Sequence, residues 1–209
     1  MTRGKFITIE GVEGVGKTTN IAFIESYFNQ AGQDIILTRE PGGTPLSEKI
    51  RDLLLDARQT SMSDDTELLL MFAARAQHLN EKIIPALEAG QWVICDRFTD
   101  ATYAYQGGGR GIDKGRIASL EDWVQADLRP DMTLLLDLPV AEGLQRAGQR
   151  SAPDRFEQEK QAFFERVRAS YLEMASQAPA RYRIIDASGS IDEVQSRIKA
   201  VLDDLISVS

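Results

Sequence analysis

A chain of 209 residues has room for one domain, residues 1–209, around a substantial core. Its net charge of -8 argues against general binding to a nucleic-acid backbone, which needs a basic stripe, but allows an anionic small ligand held by local arginines. A single cysteine, Cys95, excludes an internal disulfide, and no apolar run is long enough to span a membrane. Met1 to Lys5 run straight into the first strand, so no signal peptide is expected and a cytoplasmic protein is the default.

The first predicted element is a strand over Phe6–Glu10, a short β-branched run of the kind buried on both faces. Residues Gly11, Val12, Glu13, Gly14, Val15, Gly16, Lys17 and Thr18 then match G-x-x-x-x-G-K-[ST] in full. Glycines let the backbone wrap an anion with its N–H groups inward. Lys17 adds a charge near the β- and γ-phosphates, and Thr18 offers a hydroxyl to Mg²⁺. A helix starting near Lys17 and running to Gln30 carries Ile21, Phe23, Ile24, Tyr27 and Phe28, and aims its positive end at the phosphates.

Further strands are expected over Asp34–Thr38, Gln91–Asp96, Met132–Asp137 and Tyr182–Asp186. Helices are expected over Leu46–Leu55, Asp64–Glu88, Lys114–Ala126, Val140–Arg146, Phe156–Gln177 and Ile191–Ile206. This alternation predicts an α/β fold of the P-loop NTP hydrolase type: a three-layer sandwich with a five-stranded parallel sheet flanked by helices. Ligands then bind beyond the carboxyl ends of the strands.

The P-loop alone leaves three classes open: a small-molecule kinase, a GTPase switch, and an ATPase or nucleotide-binding module. No N-K-x-D guanine reader is present, and Asp186-Ala187-Ser188-Gly189 follows the last strand, too late for a γ-phosphate switch. The ATPase class needs a strand-end carboxylate near Mg²⁺, and Asp96 and Asp137 both qualify by position. The kinase class draws on Arg39 and Arg97, which leave strand ends on the ligand side. Two guanidinium clamps opposite a P-loop suit transfer from a triphosphate to a monophosphate.

Ile9-Glu10-Gly11, the P-loop, Thr38-Arg39-Glu40-Pro41-Gly42-Gly43, Asp96-Arg97-Phe98 and Ala104-Tyr105-Gln106-Gly107 together resemble the thymidylate kinase family over nearly the whole chain. Gln106-Gly107-Gly108-Gly109-Arg110-Gly111 resembles its bacterial branch. The resemblance implies transfer of the γ-phosphoryl group of ATP to dTMP, with Mg²⁺ and a homodimer. Another nucleoside monophosphate kinase, or a P-loop ATPase, is the alternative.

Within that resemblance Lys17, Arg97 and a lid arginine are the catalytic candidates, and Thr18 and Asp96 serve the metal. Arg39 and Arg97 grip the acceptor phosphate. Glu13 would repel a triphosphate, so its side chain is expected to turn toward the acceptor's 3′-hydroxyl. Phe72 is expected to stack on thymine, although it also fits the helix's core stripe, and Arg75 to reach a carbonyl of the base. Tyr105 presses on the deoxyribose, with Thr102 and Gln106 as polar contacts around the nucleoside. Ala101 stands where the family pattern has a serine, which removes one polar contact. Residues 146–155 break helical periodicity and carry Arg146, Arg150 and Arg155, which predicts a lid over the phosphates. The bacterial branch that the chain resembles places its catalytic arginines in this lid and none in the P-loop, which here contains no arginine, so the resemblance implies Arg150 as the source of transfer charge, ahead of Arg146 and Arg155. The acceptor is itself a phosphate, largely ionised at neutral pH (second pKa about 6), so no general base is required. The only histidine, His78, is expected to be structural.

Overall fold

Five strands form one parallel sheet: β1 (Phe6–Glu10), β2 (Ile35–Arg39), β3 (Trp92–Asp96), β4 (Met132–Asp137) and β5 (Tyr182–Asp186). In this computed structural model, which describes residues 3–59, 61–148 and 154–207, their order is β2-β3-β1-β4-β5. β1 therefore lies between β3 and β4, where the chain turns from building one half of the sheet to building the other. A crevice opens at that point beyond the strand ends, and the P-loop leaves β1 directly into it.

The helices are α1 (Lys17–Gln30), α2 (Pro45–Leu55), α3 (Asp64–His78), α4 (Ile84–Glu88), α5 (Thr99–Thr102), α6 (Lys114–Gln125), α7 (Val140–Ala147), α8 (Gln161–Gln177) and α9 (Ile191–Ser207). Alternation along the strands sets both core faces. Ile7 and Ile9 of β1, with Trp92 and Ile94 of β3, bury against Ile24 and Phe28 of α1. Phe6, Val93 and Cys95 point the other way, onto Leu79, Ile83, Ala86 and Leu87. Among the described residues no helix is long and apolar enough to cross a membrane.

Most element ends fall within one residue of the sequence expectation, and three stretches differ by more. The helix expected over Asp64–Glu88 is not continuous, because a π turn, Leu79–Ile83, separates α3 from α4. Pro85 explains it: proline supplies no N–H and crowds the carbonyl four residues back, and the wider turn accommodates both. A second π segment, Tyr103–Gly109, follows α5 where glycines obscured any helical pattern. There α8 packs so close that a Cβ on Gly108 would lie 2.1 Å from Ser170 Oγ. Finally, α8 begins at Gln161 rather than Phe156. Asp154 Oδ1 accepts the N–H groups of Phe156 and Glu157 at 2.8 and 2.9 Å, which closes a local turn instead of a helix.

The P-loop and α7 share one close contact. A Cβ on Gly14 would lie 1.8 Å from the carbonyl oxygen of Gly143, and one on Gly143 would lie 2.5 Å from that of Glu13. The helix leading into residues 148–153 is thus seated backbone to backbone on the loop.

Candidate active site

The cradle starts where β1 ends. Gly14 and Gly16 adopt left-handed φ of 75° and 87°, which turns successive backbone groups around one centre. Gly16 caps α1 without a side-chain bond, and the first turn of α1 carries no acidic residue, so its N–H groups face an open, positive pocket. Lys17 Nζ rests on the carbonyls of Gly11 and Val12 at 3.3 and 3.4 Å. Burial pulls the lysine's pKa down and Arg97 adds repulsion, while Glu13 and Asp96 act in the opposite sense. Asp96 leaves β3 into the same cleft, and its Oδ1 is buried without a partner among the described residues.

Glu13 turns away from the cradle. Its Oε1 accepts Arg97 NH2 at 2.6 Å and the Tyr105 hydroxyl at 3.0 Å. Burial opposes its charge, but Arg97 and Lys17 outweigh that and hold the carboxyl below the usual glutamate range. Arg97 also donates to the carbonyl of Gly11 at 3.0 Å and lies over the Tyr105 ring, 4.8 Å from its centroid. Its own backbone is left-handed, φ 67°, unusual for a residue with a long side chain. Glu10 secures that turn: Oε1 accepts the Phe98 N–H at 2.7 Å, and Oε2 accepts the Tyr171 hydroxyl at 2.7 Å.

The far wall of the cleft comes from β2, α2, α3 and α5. Arg39, half exposed, is held by Glu48 Oε2 at 2.9 Å, and Glu48 Oε1 accepts the Gly43 N–H at 2.8 Å. Arg75 is buried; its Nε meets Glu40 Oε2 at 2.7 Å and its NH2 donates to Thr102 Oγ1 at 3.0 Å. The remaining nitrogen, NH1, is buried without a partner among the described residues. Gln106 lines the cleft and donates to Glu67 Oε1 at 2.7 Å.

Phe72 does not line the cleft as expected. It is 2% exposed in a cluster with Leu68, Ile112 and Ile117, and its ring lies under the Arg75 guanidinium at 4.8 Å. Met71, one residue and about 100° around the helix, lines the cleft instead. The arginines expected in a lid also separate. Arg155 pairs with Glu67 Oε2 at 2.6 Å and donates to the carbonyl of Leu54 at 2.8 Å, so it anchors the chain to α2 and α3 instead of reaching the phosphates. Arg146 pairs with Glu142 at 2.5 Å and donates to the carbonyl of Ala187 at 3.1 Å, beyond the end of β5. Arg150 lies outside the described residues. Asp137, the other strand-end carboxylate singled out by position, is engaged bidentately by Arg168 at 2.7 and 2.8 Å, so of the two Asp96 is the one that keeps an oxygen without a partner among the described residues.

Three residues that line the cleft were not singled out by the sequence reasoning. Arg51 lines the cleft and spends one N–H on the carbonyl of Pro41 at 2.8 Å. It stands one helical turn after Glu48, so the pair could have been read as a face turned to Arg39. Glu40 stood inside the Thr38–Gly43 motif but without an assigned role, and Met71 had no such marker.

A glycine cradle at the sheet's switch point, faced across one cleft by Arg39, Arg51 and Arg97, defines a P-loop nucleotide phosphotransferase. The thymidylate kinase family model matches residues 9–198. A thymidylate kinase from Pseudomonas syringae pv. tomato is 58% identical over 205 residues, 98% of each chain. One from Pseudomonas putida F1 is 59% identical over 203 residues, 97% of each chain. The crystal structure of thymidylate kinase from Ehrlichia chaffeensis is 35% identical, with a TM-score of 0.77, covering 96% of this chain and 99% of that one. The chain belongs to the thymidylate kinase family.

Glu10 makes one property of the site measurable. Burial, reinforced by the negative charge of Asp100, pushes its carboxyl from the ordinary 4.5 up to about 8. A raised folded pKa costs stability as pH rises, because the unfolded chain releases this proton first. The loss begins near 4.5 and is complete near 8. Glu10→Gln keeps an acceptor for the Phe98 N–H and removes the titration. Calorimetry from pH 4.5 to 8 should show a shallower fall in Tm for the variant, and equal slopes in the two proteins would refute the assignment.

Proposed function

We propose that this protein transfers the γ-phosphoryl group of ATP to dTMP, giving dTDP and ADP, with Mg²⁺, in the cytoplasm. The observation that carries this is the one cleft in which the P-loop faces Arg39, Arg51 and Arg97, and which Arg75 also lines, its buried NH1 without a partner among the described residues. The loop N–H groups and Lys17 take the donor phosphates. Arg39, Arg51 and Arg97 take the acceptor phosphate. One of its ionised oxygens attacks the γ-phosphorus, and the bond to the β-phosphate oxygen breaks, so ADP departs without a general base.

The base lies over Met71 and meets the free N–H of Arg75, which suits a carbonyl oxygen and opposes an amino group. Glu13, held on the acceptor side, receives the sugar hydroxyl. Tyr105 lies where a ribose 2′-hydroxyl would press, with Thr102 and Gln106 bordering the nucleoside. The orphaned Oδ1 of Asp96 and the exposed Thr18 hydroxyl fit a hydrated Mg²⁺. Among the described residues no cluster of three or more His, Cys, Asp or Glu offers a denser site, which suits an ion held largely by water and phosphate. When bound, that ion neutralises charge on the β- and γ-phosphates.

Arg146 and Arg155 are committed to other partners, so the transfer charge is assigned to Arg150. Dimerisation is assigned to the side-by-side helices α2, α3 and α6, which expose Leu46, Leu53, Leu69 and Trp123. A second copy would cover these side chains.

Coupled ADP release with ATP and Mg²⁺ should be fastest with dTMP among dTMP, dUMP, dCMP, dGMP and UMP. Preference for another monophosphate would refute the acceptor, and acceptor-independent hydrolysis would refute the kinase assignment. Arg150→Ala should lower kcat by about 10³ with little change in KM for dTMP, as for other arginines that act on the transferring group. Light scattering should give a dimer for the unmodified chain and a monomer for Trp123→Glu combined with Leu69→Glu.

A further inference from the structure

The one histidine of the chain sits outside the cleft yet within two contacts of it. Arg75, which the proposed function assigns to the base, is held on four sides. Glu40 and Thr102 occupy two edges of its guanidinium, and the rings of Phe72 and Phe98 lie over it at 4.8 and 5.1 Å. A guanidinium so enclosed presents its last nitrogen in one direction only. The quality of that restraint depends on Glu40, which lines the cleft itself.

Glu40 is fixed in turn from behind. Its Oε1 lies 3.0 Å from His78 Nδ1, and His78 Nε2 lies 2.6 Å from Thr38 Oγ1. A carboxylate oxygen can only accept, so Nδ1 carries a proton and donates to Glu40; in the neutral ring Nε2 then accepts from the Thr38 hydroxyl. His78 is fully buried and Glu40 nearly so. The intervening backbone is pressed onto the imidazole: Gly43 has φ 89°, and a Cβ there would lie 2.4 Å from Nε2 and 2.6 Å from Thr38 Oγ1. One ring therefore braces both ends of the segment from Thr38 to Gly43.

We infer that His78 is a positioning residue for acceptor recognition, acting through Glu40 on the guanidinium of Arg75. The inference rests on the acceptor assignment made above. Without the imidazole, Oε1 of Glu40 becomes a buried oxygen lacking a partner. The carboxylate is then free to swing toward the cleft, and Arg75 loses the edge that aims NH1. Acceptor binding and base discrimination should suffer, while the P-loop half of the site, which His78 does not touch, should not.

The test is steady-state kinetics of the full chain with ATP and Mg²⁺, with dTMP and dCMP as acceptors. His78→Leu should raise KM for dTMP about tenfold, a loss of ~1.4 kcal/mol in binding. kcat should stay within about twofold, KM for ATP should not move, and the preference for dTMP over dCMP should narrow. His78→Asn, whose amide N–H stands near Nδ1, should recover most of the loss. Thr38→Val, which frees the ring at Nε2, should shift KM for dTMP in the same direction by less. If His78→Leu does not fold, Thr38→Val against His78→Asn carries the comparison. An unmoved KM for dTMP, an equal loss in KM for ATP, or no recovery with asparagine would overturn the inference. Absence of dTMP turnover in the unmodified chain would overturn the acceptor assignment first, and so separates the two.

Discussion

Arg97 and Glu13 meet at 2.6 Å across the seam between the two halves of the cleft, and most of the site is arranged around that pair. Glu13 belongs to a phosphate cradle and carries the wrong charge for it. Arg97 turns the carboxylate aside and keeps it ionised. In return Glu13 gives a largely enclosed guanidinium a partner, without which the cation would be expensive to hold. The pairing requires the end of β3 to bend sharply. That bend is the left-handed backbone of Arg97, and Glu10 secures it through the next N–H. β1 therefore contributes twice, as the strand that launches the cradle and as the source of the carboxyl that shapes its opposite wall.

The same device recurs along the acceptor side. Glu48 holds Arg39 and the Gly43 N–H, and Glu40 holds Arg75 and His78. Each carboxylate orients one arginine and ties down one piece of the 39–43 segment. A cleft with this many cations would repel itself if they were loose. Fixed pairs lower that cost and set each guanidinium in place before any anionic ligand arrives. The protein as a whole is acidic, so the positive character of the cleft is entirely local.

Much of the frame was legible from residue patterns. The P-loop, the five strands and the order of strand and helix follow from local rules: glycine at turns, β-branched runs in strands, apolar residues at helical period. Glu13 was legible as well, because a carboxylate in an anion cradle demands an explanation. Phe72 shows where such rules stop. Its place on the apolar stripe of α3 was visible, but the stripe faces two things at once. A step of one residue rotates a side chain by about 100°. Only the packing of α3 against α6 and the π segment after α5 decides that Met71 turns to the cleft while Phe72 lies under Arg75.

The arginines at the edges of the 146–155 segment make the same division. Composition marked residues 146–155 as basic and irregular, but not where each cation ends. Arg155 finds Glu67, nearly ninety positions earlier in the chain, and Arg146 finds the carbonyl of Ala187. The sequence by itself determined that a nucleoside triphosphate cradle opens a parallel α/β sheet and that cations face it, because those features are written within a few residues of one another. The tertiary structure decided which side chains reach the cleft, which arginines are already committed, and that a lone histidine stands behind Glu40. Those contacts join residues far apart in the chain, and no local spacing encodes them.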